Sequence, residues 1–202
     1  MRITLLLTGV IALSVGSLVP AQTPLRVQVF TSTADGYNTT STLVSGEKEA
    51  VLVDPQFLLS EAHKVAAMVL ESKKTLTTVY TTHGHPDHYF GGTVMKQAFP
   101  AARWVALPSV LTGVKNGWQG RYTFWTTTHG ANVPAPGAVF PEELTGTTLS
   151  VDGQPLQIVG GVQGDGPNNS FVWIPSIRTV LGGDIIFSGV HFGVPAAAPR
   201  AE

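Results

Sequence analysis

Four side chains that can bind a metal ion lie within six consecutive residues of this chain. The segment from His83 to His88 reads HGHPDH and holds three of the six histidines in the protein. Burying an imidazole or a carboxylate without a partner costs several kcal/mol, so folding alone does not explain this density. Imidazole nitrogen combined with carboxylate oxygen suits Zn(II), and also Fe and Mn. The segment therefore predicts a metal site; the alternative is a histidine-rich surface loop without a ligand.

A metal site of this kind predicts hydrolytic chemistry. When three protein ligands hold the ion, a further position stays open to water, and the pKa of that water falls from about 15.7 to near 7. Two ions about 3.5–4 Å apart can also stabilise the attacking and the leaving oxygen together. We expect attack on a carbonyl or phosphoryl centre, with Asp87 as the catalytic residue that orients the nucleophile and exchanges its proton.

The elements around this segment place it at one end of a sheet. Residues 76–82, which read LTTVYTT, are rich in β-branched and aromatic side chains and predict a strand. Gly91 and Gly92 follow the segment, and residues 93–99 predict a short helix. The histidines therefore lie on the loop that leaves the C-terminal end of a strand, where open α/β sheets place their sites.

The pattern His-x-His-x-Asp-His, after a strand and before Gly-Gly, resembles the signature of the metallo-β-lactamase superfamily of hydrolases. Two other segments are similar to that family. Residues 50–55 resemble its early strand, which ends in an aspartate, here Asp54, that supports the metal loop. Residues 180–184 resemble the strand whose terminal aspartate, here Asp184, bridges two metals. Taken alone, Asp184 is equally consistent with capping backbone amides in a turn, and Asp54 with a turn residue.

The resemblance implies a division of ligands between one or two zinc ions, with Fe or Mn as other candidates. The implied metal ligands are His83 and His85 for the first ion, Asp87 and His88 for the second, and Asp184 between them. Where the family has a histidine in a glycine-rich loop, residues 161–167 offer only Gln163 and Asp165. A glutamine oxygen is a poor zinc ligand, whereas Asp165 could bind through oxygen. We therefore expect one firmly bound and one weakly bound metal.

Residues 1–21 predict a secretory signal peptide with cleavage after Ala21. Arg2 gives a positive start, residues 3–15 are mostly apolar, and Val19 and Ala21 occupy the small-residue positions of a cleavage site. The apolar run is short for a membrane span of about 20 residues, and a retained anchor is the alternative. We predict a secreted or periplasmic protein without a membrane partner once the leader is removed. The chain has no cysteine, which excludes disulfides and a lipoprotein anchor.

Residues 22–194 are long enough for one domain with a substantial core, and residues 195–202 predict a disordered tail. The formal net charge of −1 gives no indication of nucleic acid binding, so the expected partner is a small-molecule substrate. The family also has a last histidine near its C-terminus; His191 could replace it or line the pocket. The runner-up to an active enzyme is a truncated or catalytically impaired relative that binds metal.

Strands and helices alternate along the rest of the chain. Strands are predicted at residues 25–31, 40–45, 49–54, 103–107, 147–151, 156–159, 170–174 and 179–186. A helix is predicted from an N-cap at Ser60 to about Lys73, with Val65, Ala66, Val69 and Leu70 facing the core. Another helix starts at residues 108–111. The aromatic residues from 118 to 125 could wall a pocket or belong to the core, and His129 is expected on the surface.

This order of elements predicts an α/β (α+β) protein with two β-sheets faced by helices. The resemblance implies the four-layer αββα sandwich of the metallo-β-lactamase type, with an incomplete C-terminal half. The leading functional prediction is an exported metal-dependent hydrolase for an ester, lactone, thioester or β-lactam-type substrate.

Overall fold

Two β-sheets pack face to face, and helices cover the outer side of the first sheet. The computed structural model describes residues 22–135, 137 and 139–188. The predicted signal peptide, His191 and the predicted tail lie outside the described residues. Within the described part, no helix is long and apolar enough to span a membrane.

The first sheet has six strands in chain order: β1 (Arg26–Thr31), β2 (Thr40–Ser45), β3 (Glu49–Val53), β4 (Thr75–Thr81), β5 (Arg103–Ala106) and β6 (Glu142–Glu143). The strands from β1 to β3 pair antiparallel, and those from β3 to β6 pair parallel. The second sheet is antiparallel, in the order β10-β9-β8-β7. Its strands are β7 (Thr148–Val151), β8 (Gln154–Val162), β9 (Asn169–Ile174) and β10 (Thr179–Leu181).

Three helices connect the parallel strands: α1 (Leu59–Glu71), α2 (Gly92–Ala98) and α3 (Pro108–His129). Because parallel crossovers are right-handed and the strand order advances in one direction, all three helices lie on the same face of the first sheet. Gly92 at the start of α2 is needed there, since a Cβ at this position would collide with the ring of Trp104 on β5. The helices thus lie close to the sheet that carries the histidine segment.

The second sheet packs on the opposite face of the first. The fully buried Tyr80 of β4 makes a 2.7 Å hydrogen bond with the hydroxyl of Ser170 on β9. The amide and the hydroxyl of Ser170 also donate to the carbonyl of Thr82, at 3.1 and 2.5 Å. The predicted fold class, an α/β protein with two β-sheets and helices packed on them, is therefore confirmed. In the described ranges no α-helix covers the outer face of the second sheet.

Helix α1 differs in two details from its prediction. It begins before Ser60, and the backbone amide of Ser60 is capped from outside the helix by the side chain of Asn132, at 2.9 Å. Leu70, predicted for the buried stripe, is 66% exposed. The buried stripe is centred on Ala62, Val65 and Val69, and a residue that follows Val69 lies about 100° further round the helix.

Helix α3 is a single helix of 22 residues, although the sequence indicates only its start. Buried positions are confined to Val110, Leu111 and Val114, so no apolar stripe runs along the remainder. Strand β10 ends at Leu181 instead of continuing to residue 186. Gly183, with φ of 49°, turns the chain there and places Asp184 in a short 3-10 turn after the strand.

Candidate metal centre

The predicted metal-binding side chains lie together where β4 and β10 end. They form two groups that share Asp184, and in each group one ligand atom of every residue lies within 4.8 Å of the others. The His88 group consists of Asp87, His88 and Asp184. The His83 group consists of His83, His85, Asp165 and Asp184. The structure thus brings together all five predicted ligands and Asp165, while their role as metal ligands stays a prediction.

The His88 group surrounds a buried imidazole. Nε2 of His88 lies 3.1 Å from Oδ1 of Asp184 and 3.3 Å from Oδ2 of Asp87. On the other side of the ring, Nδ1 lies 2.8 Å from Oδ2 of the buried Asp54. The hydroxyl of Thr39 donates to Oδ2 of Asp87 at 2.9 Å. A histidine whose Nδ1 is held by a carboxylate and whose Nε2 faces other ligands has the usual arrangement of a metal-binding histidine.

Asp54 holds the loop that carries the histidines. Its Oδ1 accepts a hydrogen bond from the backbone amide of Thr82, and its Oδ2 accepts one from the Thr82 hydroxyl, both at 2.8 Å. Its own amide donates to the carbonyl of Tyr80, and its φ of 59° lies in the left-handed region. With the bond to His88, these contacts give Asp54 the supporting role predicted for it.

The His83 group is more open. Nε2 of His83 lies 3.6 Å from Oδ2 of Asp184 and 3.8 Å from Oδ1 of Asp165. Nδ1 of His85 lies 2.6 Å from Oδ2 of Asp165. The His85 side chain is 39% exposed, whereas that of His83 is 2% exposed. His85, on the loop after β4, therefore faces solvent, and its partner Asp165 comes from the loop between β8 and β9.

Asp165, not Gln163, is the residue of the glycine-rich loop that reaches the centre. The amide of Asp165 donates to the carbonyl of Asp184 at 3.1 Å, and the side-chain amide of Asn169 donates to Oδ1 of Asp165 at 3.3 Å. Gln163 is exposed and donates only to the adjacent carbonyl of Gly164. A carboxylate thus occupies the region where the resemblance implies an imidazole.

Burial and neighbouring charges set the protonation states in the centre. Burial, helped by the nearby His88, holds the pKa of His83 well below its usual value. Burial would also lower the pKa of His88, but Asp54 and Asp87 outweigh it and raise that pKa. For Asp87 the opposing effect of burial is overcome by His88, and the pKa of this carboxyl is lowered. The pKa of Asp165 is lowered too, because its hydrogen bond to His85 outweighs burial.

This donor set fits a divalent cation. Nε2 of His83 and Nε2 of His88 are both buried, and neither makes a well-oriented hydrogen bond, although carboxylate oxygens lie 3.1–3.8 Å from them. Such atoms are costly in a folded protein unless something satisfies them. Both face carboxylate oxygens, and the pKa values of two of those carboxyls, Asp87 and Asp165, are lowered. Mixed nitrogen and oxygen donors suit Zn(II), Fe(II) and Mn(II). The cluster therefore suggests divalent metal binding without fixing the identity of the metal.

A pocket of about 790 Å³ opens onto the centre. Its polar part includes His85, Asp87, Asp165 and Asp184, and its aromatic part includes Tyr37 and Trp125. The aromatic stretch of α3 is predicted from the sequence to wall a pocket or to belong to the core, and it does both. Trp125 lines the pocket, whereas Trp118 packs on Phe90 and Phe140.

Two residues differ from what the sequence indicated. His129, expected on the surface, is half buried and stacks on Trp125, with ring centroids 5.6 Å apart. Arg121, which sequence reasoning missed, also lines the pocket. The available signal was its spacing of four and eight residues from Gly117 and Gly113 on one helix.

The comparisons with known proteins point to one family. The family described as the metallo-beta-lactamase superfamily matches residues 34–199. A comparison with curated proteins finds no match. Among solved structures, the chain resembles BLEG-1 B3 metallo-beta-lactamase with a TM-score of 0.59 and 13% identity, over 81% of this chain and 74% of that one.

Two further solved structures are similar. DIM-1 metallo-beta-lactamase gives a TM-score of 0.58 at 16% identity, over 86% of this chain and 71% of that one. A metallo-beta-lactamase from Pontibacter korlensis gives 0.52 at 16% identity, over 80% and 68%. At these identities the likeness shows the fold.

Proposed function

The chain belongs to the metallo-β-lactamase superfamily, and we propose that it is an exported hydrolase that cleaves an ester, lactone, thioester or β-lactam. Membership in this superfamily supports the assignment of the chain as a metal-dependent hydrolase. The observation that carries the proposal is the pair of buried Nε2 atoms on His83 and His88, which converge on the carboxylate of Asp184 beside a pocket.

The two groups of side chains would hold the metal, and zinc is the proposed ion. A divalent cation bound here would polarise the substrate carbonyl and make a water nucleophilic at neutral pH. Asp184 lies close to both buried imidazoles, which suits a carboxylate shared by two ions. The bond between Asp54 and Nδ1 of His88 keeps the proton on that nitrogen and directs Nε2 into the centre.

Asp87 is the proposed catalytic residue. It lines the pocket, and His88 keeps its pKa low, so it is a carboxylate at neutral pH. The hydroxyl of Thr39 fixes one of its oxygens. A carboxylate held in this way can accept the proton of an attacking water and return it to the leaving group. Tyr37 and Trp125 offer aromatic surface for an apolar part of the substrate.

Export is part of the proposal and rests on residues 1–21 alone. Their positive start, apolar run and small residues before the cleavage site support it. Intact mass of protein recovered outside the cytoplasm tests it, and we expect a chain that begins at Gln22. Recovery of the chain with Met1 to Ala21 attached would contradict this expectation.

A second candidate function is a metal-binding relative without turnover. The observation that favours it is Asp165, an oxygen ligand in place of an imidazole on the half-exposed side of the centre. A carboxylate here would give the His83 group one nitrogen donor fewer for zinc than the family pattern. The group would still bind metal, but more weakly.

One experiment separates the two candidates. Chelator-treated protein is titrated with Zn(II), Mn(II) or Fe(II), and metal content and hydrolysis of a para-nitrophenyl ester, a thioester, a lactone and nitrocefin are measured in parallel. We expect metal uptake with hydrolysis of at least one substrate, and loss of hydrolysis in Asp87→Asn. His63→Ala is the control for histidine removal, because His63 is exposed on α1. Metal uptake without hydrolysis supports the second candidate, and no uptake overturns both.

A further inference from the structure

Among the described residues that line the pocket, Arg121 is the only lysine or arginine. It also lines a smaller cavity of about 170 Å³, whose wall includes residues 83–85 of the metal loop (residues 83–88). His85 lines both cavities as well, so the guanidinium stands beside the candidate metal centre. Because an arginine stays charged at all relevant pH values, Arg121 gives the pocket a permanent positive charge.

The chain is shaped to hold the Arg121 side chain along α3. Its Nη1 donates to the carbonyl of Gly113 at 3.1 Å, two turns earlier in the helix. One turn earlier, a Cβ at Gly117 would collide with the guanidinium. Glycine weakens a helix relative to alanine, so Gly117 under the guanidinium has a structural cost. It lets the side chain lie flat along the helix, and the bond to Gly113 holds the side chain there before any ligand binds.

The same stretch of α3 contacts the metal loop. A Cβ added to Gly84 would lie 3.4 Å from the backbone of Gly113, so the loop between His83 and His85 packs on the helix where Arg121 is anchored. This contact couples the position of the guanidinium to the position of the two histidines. Arg121 is therefore placed by the fold and does not reach the pocket by chance from a mobile surface.

Arg121 has no carboxylate partner among the described residues. Arg103, at the start of β5, pairs by contrast with Glu142 at 3.5 Å. Arg121 lies close to Tyr89: burial raises the pKa of Tyr89 to about 12, and the nearby charge of Arg121 opposes that rise. The carboxylates of the pocket belong to the candidate metal centre. The guanidinium thus keeps donors free for a ligand that is negative.

We propose that Arg121 binds an anionic group of the substrate, so that the enzyme acts on carboxylate-bearing esters or lactones in preference to neutral ones. The proposal rests on the proposed function, since it names the substrate class of the same pocket. The substrate anion pairs with the guanidinium, the carbonyl to be cleaved lies at the histidine and aspartate cluster, and apolar atoms contact Trp125. A carboxylate suits this site because the guanidinium fork binds two oxygens at once.

Paired substrates test this recognition. Para-nitrophenyl monoesters of succinic, adipic and suberic acid are compared with the para-nitrophenyl esters of the monocarboxylic acids of equal length. The ratio of kcat/KM within each pair is measured for metal-loaded wild type, Arg121→Gln and Arg121→Lys. Lys115→Gln is the matched control, because it removes one positive charge from an exposed position of the same helix.

We expect wild type to favour the anionic ester of at least one pair, mainly through KM. Arg121→Gln should lower that ratio roughly 10- to 100-fold, the size of a charge-assisted hydrogen bond lost from a binding site. Arg121→Lys should retain part of the preference and Lys115→Gln all of it. A merely structural role of Arg121 would lower both rates of a pair together and leave the ratio unchanged, and that result overturns the proposal.

A binding measurement keeps the result separate from catalysis. Adipic acid monoanilide and hexananilide are titrated calorimetrically into wild type and Arg121→Gln, whether or not any ester is hydrolysed. Tighter binding of the acid, lost in Arg121→Gln, supports anion recognition even if hydrolysis fails and the proposed function falls. Equal binding of the two anilides by wild type overturns the recognition even if hydrolysis of neutral esters is observed.

Discussion

The two groups of the candidate metal centre differ in how the chain holds them. In the His88 group, the histidine is 2% exposed and its Nδ1 is bound to the buried Asp54. Asp87 accepts a hydrogen bond from Thr39, the residue that precedes β2 of the first sheet. In the His83 group, His85 is 39% exposed, and its closest partner, Asp165, comes from a loop of the second sheet. Both groups take Asp184 from the end of β10 in the second sheet. The hydrogen bonds that support the His88 group come from the first sheet, whereas the His83 group also depends on a loop of the second sheet.

This difference indicates an order of metal affinity. Ligands whose orientation is fixed in advance by hydrogen bonds lose little on binding, and partners of this kind typically change metal affinity 10- to 100-fold. The His83 group has the more favourable donors for zinc, two imidazoles, but the weaker support. We therefore expect that the His88 group fills first and that the His83 group supplies the weak site predicted from the sequence.

The largest effect is expected from Asp54→Ala. The change leaves the amide of Thr82 and Nδ1 of His88 buried without their acceptor. Each unsatisfied buried donor costs about 1–3 kcal/mol, so the free energy of unfolding should fall by about 2–6 kcal/mol. The affinity of the His88 group should fall by roughly 10- to 100-fold. Denaturant unfolding of the metal-free protein and calorimetric metal titration measure the two effects.

The control for this change is Asp35→Ala, which removes an exposed aspartate from a surface turn. It should leave both measurements close to wild type. If Asp54→Ala binds its first metal as tightly as wild type does, the support from the first sheet is not what ranks the two groups, and the comparison fails.

The next effect concerns the weak group. Asp165→Ala removes a carboxylate from the His83 group and leaves all members of the His88 group in place. We expect the second metal to be lost at ordinary concentrations, a decrease in its affinity of more than about tenfold, while the first is retained. Metal content after dialysis gives the stoichiometry. Loss of the first metal together with the second would show that the two groups act as one unit.

A gain of zinc affinity at the weak site is expected when Asp165 is replaced by a histidine instead of an alanine. Asp165→His places an imidazole beside His83 and His85, and for zinc a nitrogen donor should raise the affinity of the weak site by about tenfold. Gln163→His is the matched control on the same loop, and it should change little because Gln163 is exposed. Competition with a chromophoric zinc chelator compares the variants. An effect of Gln163→His equal to that of Asp165→His would mean that the loop samples another arrangement.

The same contrast explains which parts of the site the sequence could predict. His83, His85, Asp87 and His88 are neighbours in the chain, so their spacing after a strand was enough to place them together. The strands β2 and β3 also lie within one residue of their prediction, because their apolar and polar pattern and a short turn define them locally. Local patterns predict local geometry well.

Features that depend on several elements could not be predicted. Gln163 and Asp165 are two residues apart, as in an extended strand, yet a turn closed by the hydrogen bond from Gly164 to Gly166 directs only Asp165 inward. The position of Arg121 in the pocket could not be predicted for the same reason, since it depends on more than one element. Its position depends on how α3 crosses the metal loop, and a helix with no continuous apolar stripe does not reveal which face it turns to the protein.

The smallest effect is expected from Thr39→Val, which tests the other support of the His88 group. The valine keeps the shape of the side chain and removes the hydroxyl that donates to Asp87 at 2.9 Å. A hydrogen bond to a charged acceptor contributes about 1.5–3 kcal/mol, but the carboxylate keeps its contact with His88, so we expect a decrease in first-metal affinity of only about threefold to tenfold. Thr123→Val, on an exposed part of α3, is the control. If Thr39→Val weakens the second metal more than the first, Asp87 serves the His83 group, and the division of the ligands between the two groups is wrong.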